Sequence, residues 1–241
     1  EFISIGFQTF DDGYPVVVRL FEIGLVPALI DLTEELHMED NLSPCILYCV
    51  LEGYREEVEA QRSRLLDEAL AAGGRDLGRQ PTLEYWESRH AVAERWRDKT
   101  RPLRPTQRWE DRHWRTTDYL HTSIPISEVL AYKHFCDEVA AAHRLEVAES
   151  AVWTDPRLFS VLVRDSDASR SRRDSSGLRQ AVDRMLGRAL DVGGGIEYCH
   201  GLGVRLGGWA IEEWGTALLL ARLAKRAVDP SGILNPDKLG L

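Results

Sequence analysis

The stretch LEVAESAVWTDPRLFSVLVRD, residues 145–165, decides the fold. Its two arms, LEVAESAVW and RLFSVLVRD, alternate apolar and polar side chains at period 2, and TDP joins them, so the stretch reads as a β-hairpin. Upstream, PISEVLAYKHFCDEVAAAHR (125–144) has the spacing of a helix, with Val129, Leu130, Phe135 and Val139 as its candidate buried face. TTDYLHTSI (116–124) before it reads as a strand. Downstream, GLRQAVDRMLGRALDVGGG (177–195) reads as a helix and IEYCH (196–200) as a short last strand. The order β-α-β-β-α-β is ferredoxin-like and places two helices on one face of an antiparallel sheet. The expected class is α+β.

The first part reads as a looser copy of the same order. FISIGF is a strand, Thr9–Glu22 a helix stopped by Gly24, and VPALIDL and PCILYCVLEG are two further strands. YREEVEAQRSRLLDEALAAGG is a long helix closed by Gly73 and Gly74. TLEYWESRHAVAERWRD reads as one more helix, and KTRPLRPTQRWEDRHWR as an irregular connection. The segment RDSDASRSRRDSSG (164–177) has no apolar residue except Ala168 and is expected to be a mobile, solvated loop; Arg170, Arg172 and Arg173 would serve an anion if it has a role.

Composition bounds the function. The chain has 241 residues, 44% hydrophobic and 29% charged, and a net charge of −9 from 30 basic and 39 acidic residues. Its mean hydropathy is −0.29. That balance suits a globular protein and argues against nucleic acid or an anionic membrane as partner. No apolar run approaches the roughly 20 residues that span a bilayer. The start, EFISIGFQTF, lacks a basic n-region and opens directly into a strand, as if cut at a domain boundary. Cys45 and Cys49 lie on one strand face, about 13 Å apart at ~3.3 Å per residue, too far to bridge. Reduced thiols in a cytoplasmic protein are expected for Cys45, Cys49 and Cys136, while Cys199 stays open because His200 is its neighbour.

The final third carries a resemblance. VGGGIEYCHGLGVRL, then the helix EEWGTALLLARLAKRAV, then DPSGILNPDKLG, resembles the end of FAD-linked oxidases of the vanillyl-alcohol oxidase type. Upstream, LEYWESRH resembles the family's Trp-x-x-Arg helix and LHTSIPISEV its strand-to-helix passage. The likeness runs from near Phe2 to Leu239 and covers the C-terminal half of such an enzyme. It implies that residues 1–241 form a substrate-binding cap over the flavin. FAD would be held mainly by a separate FAD-binding domain, because no glycine-rich pyrophosphate loop occurs here. The implied chemistry is oxidation of a small organic alcohol or hydroxy acid by hydride transfer to FAD, with a homodimer as a possible assembly.

Two branches differ from this chain in instructive ways. The 2-hydroxy-acid dehydrogenase branch holds a metal with two hairpin histidines and a Glu before the turn's His-Gly. Val152 and Phe159 stand at those histidine positions and Cys199 at the Glu, which leaves His200 and Cys199 as donors, so no metal is expected. The alkyl-dihydroxyacetone-phosphate synthase branch has Ser-His-His-His-Gly-x-Gly at the turn and an early Arg for phosphate. Here EYCHGLG keeps His200, Gly201 and Gly203, and Asp31 stands at the Arg. An ether-lipid enzyme of that kind, or a non-catalytic stand-alone binding module, are the alternatives.

Alone, His200 at a tight bend would cap its turn through the backbone. Within this motif it becomes the acid/base, able to take a substrate hydroxyl proton. Tyr198 is a second proton-active candidate on the same strand face, and regular alternation would send Cys199 to the core. Arg89, by resemblance, clamps a substrate carboxylate, unless it only makes a surface ion pair. His121 and Trp153 are further substrate-side candidates. Gly201 and Gly203 would let backbone pass close to the cofactor, and Asn235 would hydrogen-bond toward the flavin domain, with Asp237 replacing the family's usual Gly.

Overall fold

The computed structural model describes residues 1–36, 44–104, 117–165, 176–236 and 238–241. The segment proposed as a mobile loop, with Arg170, Arg172 and Arg173, lies almost wholly outside the described residues, as do most of the arginine-rich connection and Asp237. Among the described residues seven strands form one antiparallel sheet: β1 Phe2–Phe7, β2 Leu29–Glu35, β3 Cys45–Val50, β4 Arg75–Gly78, β5 Thr117–Ser123, β6 Glu146–Trp153 and β7 Leu158–Arg164. Their order is β4-β1-β3-β2-β6-β7-β5. Helices α1 (Phe10–Glu22), α2 (Arg55–Ala71), α3 (Gln80–Ser88) and α4 (Ala91–Thr100) belong to the first part. Helices α5 (Val129–Ala142), α6 (Ser176–Asp191), α7 (Ala210–Trp214) and α8 (Ala217–Val228) belong to the second.

Two ferredoxin-like units are fused edge to edge. The first, β1-α1-β2-β3-α2-β4, is complete, with strand order β4-β1-β3-β2. The second, β5-α5-β6-β7-α6, follows the same path, and the units join where β2 pairs with β6, Leu32 opposite Val152 and Thr33 opposite Ala151. All four covering helices end alike. After α1, α2, α5 and α6 the amide N–H three residues past the end reaches back to the last turn: Leu25 to Leu20, Gly74 to Ala69, Leu145 to Ala140 and Gly194 to Ala189, at 2.8–2.9 Å. This is the Schellman closure, and its left-handed residue is Gly24, Gly73 and Gly193 in three helices and Arg144 in α5.

The structure thus reverses the expected ranking of the copies: the first is regular and the second lacks its last strand. IEYCH pairs with β5 through the Gly195–Ser123 bridge and one further bond, Tyr198 N–H to the His121 carbonyl at 3.0 Å. The Glu197 carboxylate then accepts the backbone N–H groups of Cys199 and His200, both at 2.9 Å, and turns the chain away from the sheet edge. Without a strand there is no alternation to bury Cys199, which is exposed. The preceding helix stops at Asp191, and the expected single helix over 82–98 is two, parted at Arg89–His90, where the Arg89 guanidinium folds back to the Trp86 carbonyl. On α5, Val129 and Val139 are buried as expected, with Tyr132 and Cys136, while Leu130 and Phe135 are half-buried.

Cross-strand partners share a face, and the two faces differ sharply. One carries Ile5, Leu32, Leu47, Leu120, Val152, Phe159 and Val161 and packs on α1, α2, α5 and α6 as the core. The register puts Ser4, Tyr48, Asp31 and Trp153 on the other face, together with Thr33, Ala151, Ser160, His121, Glu149 and Tyr119. At the β1–β3 end α3 covers this polar face. Its Thr82 bonds Ser4 Oγ at 2.7 Å, and its Tyr85 stacks on Tyr48 with ring centroids 4.5 Å apart.

Candidate active site

At the β5 end the polar face opens into a cavity of about 540 Å³, lined by β5 (Thr117, Asp118, Tyr119, His121), Leu162, Glu197 and the turn from His200 to Arg205. His121 is its pivot. The ring lies 4.5 Å from Tyr119, 5.4 Å from Trp153, 5.6 Å from Tyr198 and 4.8 Å from His200, centroid to centroid. Its Nδ1 meets Ser160 Oγ at 2.9 Å, and that hydroxyl meets Tyr198 Oη at 2.7 Å, so His121, Ser160 and Tyr198 form a hydrogen-bonded chain. Burial drives the His121 imidazolium pKa down to about 4, with His200 and Arg205 pushing the same way against Glu197. At neutral pH His121 is an uncharged ring. Burial likewise holds the Tyr198 hydroxyl above its ordinary value.

The side chain of His200 is 70% exposed, and its Nδ1 lies 3.8 Å from Glu197 Oε1. Glu197 itself is buried, and its other oxygen is 4.0 Å from Arg205, which also bonds Asp118. Gly201 and Gly203 line the cavity with φ of +71° and +55°, and a Cβ built there meets nothing within 4 Å, so the glycines serve the turn's left-handed backbone. The C-terminal tail returns here: the Leu239 N–H bonds the Gly203 carbonyl at 2.9 Å.

Asp31 and Glu149 sit deeper in the same face. Tyr85 donates to Asp31 at 2.8 Å and Tyr119 donates to Glu149. Burial raises both carboxyl pKa values, as it does that of Glu35.

The structure therefore gathers His121, His200, Gly201 and Gly203 at one cavity; Tyr198 and Trp153 do not line it but lie against His121, at 5.6 and 5.4 Å between ring centroids. Arg89 is not among the cavity-lining residues; it stacks on Trp86 at 3.8 Å. Asn235 is exposed, with φ of +46°. Sequence reasoning missed Glu197, Ser160 and the Asp118–Arg205 pair. A Glu two residues before Cys199 and three before His200 is a local signal for a backbone-capping carboxylate; the partners of Ser160 and Arg205 come from tertiary structure alone. The donor count along the turn also omitted His121: His121, Cys199 and His200 each offer a donor atom within 4.8 Å of the other two.

The family described as FAD linked oxidases, C-terminal domain, matches residues 1–239. The chain belongs to this family. Within the FAD-linked oxidase C-terminal domains, it is 29% identical over 164 residues to D-lactate dehydrogenase [cytochrome] 1, mitochondrial, of Saccharomyces cerevisiae, a match over 65% of this chain and 25% of that protein. Its fold is similar to p-cresol methylhydroxylase with substrate bound, at a TM-score of 0.67 and 17% identity, covering 100% of this chain and 53% of that one. A 4-ethylphenol oxidase from Gulosibacter chungangensis, in complex with isoeugenol, gives a TM-score of 0.65 at 17% identity over 100% and 54%. An alkyldihydroxyacetonephosphate synthase gives 0.60 at 15% over 98% and 44%. The chain thus spans a quarter of the curated relative and about half of these structures. Among the described residues no helix is long and apolar enough to cross a membrane.

His121 makes stability depend on pH. Its folded pKa, about 4, lies below the ordinary 6.5, so the unfolded chain binds the extra proton between those values. The contribution is full above about pH 6.5 and is lost as pH falls toward about 4. The expected loss is about 2 kcal/mol, below the roughly 3 kcal/mol of a fully sequestered ring because the cavity admits solvent. Asp31 and Glu149, with raised pKa values, act with the opposite sign. Urea midpoints of wild type and His121→Gln, compared at about pH 7 and about pH 4.5, isolate the ring: the variant should lack this acid-side loss.

Proposed function

We propose that this chain is the substrate-binding cap of an FAD-dependent oxidoreductase that oxidises an organic alcohol, with His200 as proton acceptor. The observation that carries the reading is the neutral, buried His121 beside the exposed His200, with ring centroids 4.8 Å apart in one open cavity. When bound, the flavin would accept the hydride. His200, held at the cavity rim by the Glu197 clamp on its backbone, takes the hydroxyl proton. His121, neutral and anchored through Ser160, orients the oxygen by hydrogen bonding, and Tyr119 and Leu162 exclude water from one side.

This chain's residues fit a ring-covering role rather than a pyrophosphate cradle. α8 and the tail expose Leu219, Leu220, Leu223, Val228, Ile233 and Leu234, an apolar face suited to cover by an FAD-binding domain. A stand-alone module has no need of that face or of an open cavity. The ether-lipid alternative wants a cation for phosphate, and the arginine that lines the cavity, Arg205, is already engaged by Asp118 and Glu197. Within the oxidase reading a neutral alcohol is favoured over a hydroxy acid: the cavity's arginine, Arg205, is engaged by Asp118 and Glu197, and Arg89 stacks on Trp86. The chain's four thiols form no disulfide, which fits a reducing compartment such as the cytoplasm.

The test is anaerobic mixing of the flavin-bearing protein with neutral alcohols and with hydroxy acids, following the flavin's visible absorption. Bleaching by an alcohol supports the reading. A protein purified with its complete chain that neither binds FAD nor shows a flavin band overturns it.

A further inference from the structure

We propose that His121, Cys199 and His200 form a site for one soft divalent cation of the Zn²⁺ class, with its fourth position open to the cavity. The three donor atoms lie within 4.8 Å of one another, and Cys199 Sγ is already 3.8 Å from His200 Nε2. Zinc bonds of about 2.0 Å to nitrogen and 2.3 Å to sulfur set donor separations of roughly 3.5 Å. The remaining shift is about an ångström, within reach of a rotation of the exposed Cys199 and His200 side chains, while His121 is fixed in β5.

The surroundings are those of a metal site. His121 has an oxygen at the nitrogen that would face away from the ion, Ser160 Oγ at 2.9 Å from Nδ1, and such an outer partner fixes ring orientation and strengthens the ligand. For His200 the Glu197 carboxylate, with Oε1 3.8 Å from Nδ1, supplies a nearby negative charge rather than a hydrogen bond. Glu197 also grips the backbone N–H groups of Cys199 and His200, so one buried carboxylate positions two donors. Two nitrogens and a sulfur select zinc, or cobalt as its reporter, over Mg²⁺ and Ca²⁺, which take oxygen. On binding, the Cys199 S–H bond breaks, a sulfur–metal bond forms, and the proton leaves to solvent. The ion and a proton cannot share His200 Nε2, so a loaded site would withhold that nitrogen from proton transfer. The inference stands on the donor geometry and not on the flavin reading.

The experiment is a Co²⁺ titration of the reduced, purified protein, read as difference spectra, alongside Cys199→Ser and His121→Asn. The expected result is a thiolate-to-cobalt charge-transfer band with tetrahedral visible bands, saturating at one ion per chain and displaced by Zn²⁺. Cys199→Ser, a change at an exposed side chain, should abolish the charge-transfer band, and His121→Asn should weaken binding at least about tenfold. Absence of the band, or an identical titration in Cys199→Ser, overturns the proposal. Because the readout is cobalt absorption, it fails or succeeds whether or not the alcohol reading holds.

Discussion

Changing His200 to Gln in the flavin-bearing protein is expected to slow substrate-driven flavin reduction by about 10²- to 10⁴-fold, the usual contribution of a positioned proton acceptor. The fold should not change. The His200 side chain is 70% exposed and fills no core space. The turn beneath it is held by Glu197 through the main-chain N–H groups of Cys199 and His200, which Gln at position 200 retains. His121 is a poor substitute base: burial keeps its pKa near about 4, and its Nδ1 is engaged by Ser160. Stopped-flow measurement checks the rate, and an undiminished rate in the variant removes His200 from the chemistry.

How much of this was legible in the sequence depended on whether the signal was local. The hairpin at 145–165, the four covering helices and the α+β class follow from periodicity, because burial on one face imposes it. Thr9, which caps α1 by accepting the Asp12 N–H, and Gly73, left-handed after α2, act within a few residues and are readable for the same reason. The last strand was not readable. IEYCH has the right residues for a strand, and its Glu197 side chain, by bonding two amides just ahead of it, competes with the ladder and wins. Cys199 was misplaced for that one cause.

The site shows the same division. His200 and its two glycines stand out as a motif, whereas the importance of His121 is set by what surrounds it. Its neighbours Ser160, Trp153, Tyr198 and His200 come from β7, β6 and the turn after α6, and only the sheet order brings those segments together. Asp31 shows why a single alignment column misleads. It does face the polar side of the sheet, yet Tyr85 covers it, and it works as a buried acceptor rather than as a ligand for charge.

Gly194 is where the fold and the site are most tightly coupled, and Gly194→Ala should destabilise the protein by about 3 kcal/mol, the upper range for overpacking. A Cβ there would lie 2.3 Å from the Ser123 carbonyl and 2.8 Å from the Ala189 carbonyl, both backbone atoms that cannot swing aside. The neighbouring Gly193 has φ of +78° but open space around a Cβ, so Gly193→Ala bears only left-handed strain, about 1 kcal/mol. Gly74, at the matching place after α2, would meet the Ala69 carbonyl and Ile5, each at 2.8 Å, and should cost nearly as much as Gly194. Its clash lies in the first unit, away from the cavity. The two differ in what moves: relief at Gly194 must push residues 195–200 off β5, breaking the Gly195–Ser123 bridge and the Tyr198–His121 bond and displacing the ring of His200 from that of His121. Urea unfolding should therefore show similar losses for Gly74→Ala and Gly194→Ala, while flavin reduction below the unfolding transition should fall for Gly194→Ala alone. Equal activity in the two variants would mean that the turn holds its geometry without support from β5.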